Sequence, residues 1–112
     1  MSKEPTTYLK HIQDECSYII SVSDNLTFEN FIVDETLKRA VVRSLEIIGE
    51  ATKKIPADFK LTWSAIQWKN IAGMRDRLIH DYMGVNYAIV WDVMKNKIPD
   101  MHKKITGFLS HN

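Results

Sequence analysis

The stretch Asn86-Tyr87-Ala88-Ile89-Val90-Trp91-Asp92-Val93-Met94-Lys95-Asn96-Lys97-Ile98-Pro99-Asp100-Met101-His102-Lys103-Lys104-Ile105-Thr106-Gly107-Phe108 sets the fold class. Its apolar residues Tyr87, Trp91, Met94, Ile98, Met101, Ile105 and Phe108 succeed one another in alternating steps of four and three. That spacing lines one face of a helix, and over three heptads it has no strand equivalent. Asn86 is suited to cap the helix. Pro99 interrupts the pattern, so a kink is expected, or a break with Pro99 in the first turn of a further helix.

Upstream of this stretch the same period recurs almost everywhere. Tyr8, Ile12, Cys16 and Ile19 predict a first helix from about Thr6 to Val22, closed by the turn residues Ser23-Asp24-Asn25. Thr27 to Phe31 reads as a short loop or single turn pinned by Phe28 and Phe31. A second long helix is expected from about Asp34 to Ile55, with Asp34 as N-cap and Pro56 as terminator. Its stripe is Leu37, Val41, Ser44/Leu45, Ile48, Ala51/Thr52 and Ile55, and Gly49 within it points to a closely packed neighbour. A third is expected to start after Thr62 and run to about Tyr82, with Gly84 at its end. Short connections between four or five helices imply an all-α, up-and-down antiparallel bundle. The whole of residues 1–112 is expected to form one domain.

Composition narrows the functions available. The formal charge is +1, so any nucleic-acid contact must come from a local patch rather than from the chain as a whole. The single cysteine, Cys16, leaves no internal disulfide or multi-cysteine metal site and reads as a packing residue. No histidine pair has zinc spacing, and neither a phosphate-cradling glycine loop nor a Glu-x-x-His element of bundle di-iron proteins is present, so no metal or cofactor is expected. His11, His102 and His111 sit among charged or terminal residues and read as surface histidines, and Trp63, Trp68 and Trp91 read as core or interface anchors. No apolar run is long enough to span a membrane and no signal core opens the chain; a cytoplasmic protein is expected.

One segment concentrates chemistry: Arg75-Asp76-Arg77-Leu78-Ile79-His80-Asp81-Tyr82. Two readings fit it. One is a solvated helix face with pairs such as Arg77–Asp81 and Asp76–His80. The other is metal-independent RNA cleavage. There a 2′-hydroxyl attacks the neighbouring phosphodiester, His80 moves protons near neutral pH, and Arg75 offers phosphate a permanently charged fork. Arg75 and His80 stand roughly 140° apart on an ideal helix, near enough for long side chains to share a cleft that a second subunit completes. Rich stripes on the second and third helices predict a two-fold homodimer. Arg39, Arg43 and Lys69, with Arg75 and Arg77, are candidates for the local positive field.

Arg75-x4-His80-x-Tyr82 resembles the Arg-x4-6-His motif of HEPN domains and the extended Arg-x4-His-x-Tyr form of HepT-like ribonuclease toxins. Ala40 to Ala51 is similar to that family's helix-two signature, Trp68 to Arg75 to its approach to the motif, and Val90-Trp91 with Ile98-Pro99 to its last helix. The resemblance covers about Tyr8 to Leu109. It implies a homodimer whose interface cleft holds the Arg and His of both subunits, here Arg75 and His80; beside that, Asp76, Arg77 and Arg43 are read from the sequence as supporting or RNA-binding residues. It implies endonucleolytic cleavage of messenger or transfer RNA by the toxin of a type VII-like toxin–antitoxin system. Its partner would be a minimal nucleotidyltransferase antitoxin that transfers AMP to Tyr82. The alternative is a non-catalytic HEPN module that binds a nucleotidyltransferase or nucleic acid. One departure stands out: the residue after the motif arginine is usually Asn, and here it is Asp76.

Overall fold

A computed structural model describes residues 4–63, 65–79 and 84–110, with backbone alone for 74–79. The described residues are helical throughout, without a strand. Helix α1 spans Pro5–Ser23, α2 Phe28–Val33, α3 Glu35–Lys54, α4 Ala57–Thr62, α5 Trp68–Ile79, α6 Tyr87–Asp92 and α7 Ile98–Ser110. A π-helical segment, Val93–Lys97, joins α6 to α7, and both junction residues, Val93 and Ile98, keep right-handed helical angles. The last three elements therefore form one continuous rod.

The helix ends reflect the side-chain chemistry. Thr27 accepts a hydrogen bond from the Asn30 amide, and Asp34 accepts one from the Leu37 amide at 2.9 Å. Each satisfies a donor that a helix start leaves open, typically worth about 1 kcal/mol. Asn86 does the same for Ala88 and Ile89. Asn25 turns the chain after α1 with a positive φ of 59°, a conformation that asparagine tolerates better than most residues. Ile55 leaves the helical region just before Pro56, as the proline ring requires.

Two elements depart from the sequence reading. Residues Ala57–Thr62, expected to be connection, form α4, and the third long helix starts later, at Trp68. Its expected end near Tyr82 lies outside the described residues. Pro99 falls in the first turn of α7, as one of its two expected outcomes had it, but the backbone reaches it through the π-helical segment without leaving helical angles. The missing proline N–H would have gone to the Lys95 carbonyl, and the turn before it is widened, with the Ile98 amide bonding the Val93 carbonyl five residues back.

The core gathers Leu9, Ile12, Cys16 and Ile19 from α1, Phe31 from α2, and Val41, Leu45 and Ile48 from α3. Val90, Met94, Ile98 and Ile105 join them from the rod, all fully buried. Leu9 and Val90 are core residues that the stripe readings passed over, whereas Tyr8, Tyr87 and Trp91 pack partly buried around the edge. Phe31 anchors α2 with its ring 5.6 Å from Trp91 and 6.3 Å from Tyr87. Lys38 is also buried, an arrangement that needs partners. Its ammonium lies 2.9 Å from a Glu35 oxygen and 4.6 Å from the centre of the Tyr87 ring. That hydrogen bond holds the Glu35 carboxyl below its usual range.

Helix α1 packs against α3 on one side and the rod on the other, and α3 also packs against α5. Gln13 donates to Thr106 at 3.0 Å, and the Ser17 hydroxyl lies 2.9 Å from His102 Nε2. Lys95 donates to the Ser23 carbonyl at 3.1 Å, placing a cation at the negative end of α1. Along the seam between α5 and the rod, a groove remains open.

Candidate functional site

Helix α5 carries the first part of the motif. Its start is fixed by Trp68, which is buried and donates its indole N–H to the Trp63 carbonyl at 3.0 Å. Trp63 sets its own ring against Phe108, 4.6 Å between centres. Among the described residues its indole nitrogen is a buried polar atom without a hydrogen-bond partner. All three tryptophans thus serve packing, as expected: Trp91 lies against Phe28 and Phe31.

From Trp68 the helix period fixes the register of the later positions. Trp68 and Ile71 are buried, and α5 packs on α3. Arg75 stands seven residues after Trp68 and four after Ile71, so its backbone position falls on the inward-facing side of α5. Arg77 stands four after Gly73, which lines the open groove. The two motif arginines therefore occupy different registers of one helix, with Asp76 between them. The side chains of residues 74–79, and residues 80–83 altogether, lie outside the described residues. His80, Asp81 and Tyr82 are thus placed by sequence alone.

Arg43, on α3, is exposed, with its guanidinium 4.0 Å from carboxylate oxygens of both Glu46 and Glu50. Pairs this long and this exposed contribute little to stability, so the guanidinium stays available to an incoming anion. Arg39 lies one turn earlier on the same helix and is also exposed. Lys69 lines the groove toward the rod.

The remaining candidates are quiet. Burial, reinforced by Glu15, pushes the Cys16 thiol up to about 12, and its sulfur sits 3.8 Å from that of Met101. A thiol so protonated is packing material rather than a nucleophile. His11 is exposed beside Tyr8. His102 is half-buried against Ser17, and His111 lies outside the described residues. Among the described residues, no three His, Cys, Asp or Glu side chains come together in a way that could hold a metal ion. No described helix is long and apolar enough to cross a membrane. Sequence reading missed the groove lysines at the C-terminal side; a hint was the seven-residue spacing of Lys97 and Lys104, which sets them on one helix face.

An all-helical chain that carries an Arg-x4-His-x-Tyr motif in its sequence is consistent with a HEPN-like helical protein. Residues 12–107 match the family model described as "HepT-like: Ribonuclease HepT-like", and the chain belongs to that family. It is 49% identical over 107 residues to a protein of Caldanaerobacter subterraneus subsp. tengcongensis provisionally named an RNase, covering 96% of both chains. It is 42% identical over 103 residues to a similarly named protein of Methanocaldococcus jannaschii, covering 92% of this chain and 85% of that one. A protein of Thermococcus cleftensis named "Probable ribonuclease HepT" is 40% identical over 104 residues, covering 93% of this chain and 94% of its own. No solved structure matches.

Proposed function

We propose that this protein is a metal-independent endoribonuclease, the toxin of a pair whose antitoxin is a minimal nucleotidyltransferase. The observation that carries the reading is the family match over residues 12–107, with Arg75-x4-His80-x-Tyr82 intact inside it. In this mechanism the substrate supplies its own nucleophile. The 2′-hydroxyl oxygen attacks the adjacent phosphorus, the bond to the 5′-oxygen of the next nucleotide breaks, and a cyclic phosphate is left. His80 takes the 2′-hydroxyl proton or protonates the leaving oxygen. Arg75 balances the charge that accumulates on the phosphoryl oxygens, and its bidentate fork suits that geometry. Two copies of the chain, related by a two-fold axis, would bring both sets of residues to one cleft, with Arg77 and Arg43 as flanking cations and Asp76 orienting.

Since substrate and side chains supply every proton and charge, cleavage of single-stranded RNA by purified protein should persist in excess EDTA. Loss in EDTA with recovery on adding magnesium would overturn the mechanism. If the protein binds RNA in this assay and never cuts it, the non-catalytic HEPN module is the correct reading, and Asp76 in place of the usual Asn becomes its first explanation.

Control is assigned to Tyr82. Once the partner enzyme removes its proton, the phenol oxygen attacks the α-phosphorus of ATP, and pyrophosphate leaves. The attached AMP carries a negative phosphate that competes for Arg75 as the substrate does. Tyr82→Phe is therefore expected to keep ribonuclease activity and escape neutralisation. Intact-mass analysis after incubation with the nucleotidyltransferase, ATP and magnesium checks this. Equal adenylyl additions to wild type and variant would exclude Tyr82 as the acceptor.

A further inference from the structure

We infer that the groove between α5 and the C-terminal rod holds the single-stranded RNA that flanks the bond to be cut, an inference that rests on the ribonuclease reading above. The groove encloses about 940 Å³. Its lining includes the buried apolar side chains Ile66, Ile71, Val93 and Met101. Lys69 stands on one wall, and Lys97 and Lys104 on the other. A second hollow of about 520 Å³ continues it across α4, sharing Ile66, Gln67, Lys69 and Asn70 and adding Lys60 and the 81% exposed Leu61.

Charge sets this trough apart from the rest of the molecule. It carries four lysines in a chain whose whole formal charge is +1. Two carboxylates, Asp92 and Asp100, also line it, and both are engaged. Asp100 pairs with Lys104 at 3.0 Å, and Asp92 accepts from the Asn96 amide at 2.7 Å. Lys60, Lys69 and Lys97 have no carboxylate partner among the described residues.

An apolar lining between cationic walls is the surface that single-stranded nucleic acid fits, bases inward and phosphates on the lysines. Duplex RNA would present no base faces to it. Among the lining amides, Asn70 donates to Gln67 at 2.6 Å, the Asn86 carbonyl caps α6 and Asn96 donates to Asp92, so base edges would meet the amide N–H groups of Gln67 and Asn86 and the carbonyls of Asn70 and Asn96. Along α5 the trough's register passes from Gly73 to Arg77 one turn on, at the start of the Arg75–Tyr82 segment.

The test is the Lys69→Gln/Lys97→Gln double variant, which alters only exposed side chains. Fluorescence anisotropy across a potassium chloride series would use an unstructured RNA of about 20 nucleotides, longer than a single-strand groove of this kind covers. The slope of log affinity against log salt should fall by about 1.4, with a loss of roughly 10–30-fold at 0.1 M. In cleavage, the loss in kcat/KM on this RNA should be at least about ten times the loss on a dinucleoside monophosphate, whose few phosphates cannot occupy the trough. Unchanged affinity and slope, or equal losses on both substrates, would overturn the inference. So would retained RNA affinity with lost binding of the nucleotidyltransferase, or a change in oligomeric state, since the trough would then be a protein interface. Wild-type protein that binds RNA with this salt dependence but cleaves nothing leaves the trough standing and removes the ribonuclease reading. Wild type that cleaves, beside a variant that binds equally well, does the reverse.

Discussion

Replacing His80 by alanine is expected to slow RNA cleavage by about 10²–10⁴-fold, the usual cost of losing a general acid/base, while circular dichroism stays that of the parent. Among the side-chain types of the motif, histidine is the one whose unperturbed pKa lies near neutrality, which suits it both to take and to give a proton there. A growth arrest caused by the parent protein should disappear with the variant. Arg75→Ala should also impair cleavage, but through phosphate binding and charge stabilisation, so its loss should depend on salt where that of His80→Ala does not. In the proposed mechanism a carboxylate brought beside His80 would favour the imidazolium, and the rate profile of Asp76→Asn tests whether Asp76 does this. Retention of more than a tenth of the parental rate by His80→Ala would remove histidine from the mechanism.

The largest stability effect is expected at Phe31. Its side chain is fully buried between the rings of Tyr87 and Trp91 and ties the short helix α2 to the start of the rod. Phe31→Ala should cost about 3–5 kcal/mol, a large part of the roughly 5–15 kcal/mol that holds a domain together. The aromatic pairings add to the loss of apolar burial, because edge and tilted contacts stabilise beyond the area they cover. Urea unfolding monitored by circular dichroism measures it as a lower midpoint at unchanged slope. Val33, two residues on and 74% exposed, is the control, expected to stay within about 0.5 kcal/mol when truncated to alanine. A cost at Phe31 below about 1 kcal/mol would mean that α2 is held by something other than this ring, since buried Phe truncations sit well above that.

How far the sequence could be read depended on whether the deciding interaction was local. The long helices were legible from period and caps, since Asp34 and Asn86 bond amides three residues away or fewer. The helix α4 was not, because its six residues hold too short a pattern to separate from a loop. The burial of Lys38 depends on Tyr87, forty-nine positions away, and no spacing rule announces it. Pro99 was legible as a first-turn residue of the last helix, while the widened turn before it was not. Arg75, His80 and Tyr82 are singled out by likeness to a family, because residue types alone also fit a solvated face, and their side chains lie outside the described residues. The trough was invisible, since its walls come from residues 66–73 and 86–104 and exist only after the two helices stand side by side.

Three side-chain contacts tie α1 to α7: Gln13 to Thr106, Cys16 to Met101 and Ser17 to His102. A chain is synthesised from its N-terminus, at a pace of roughly 5–20 residues per second. During synthesis α1 therefore has α3 to lean on early, but waits for α7 before its second flank is covered. A chain cut short before α7 would expose Ile12, Cys16 and Ile19 to water, which marks it for chaperones and proteases before it can act.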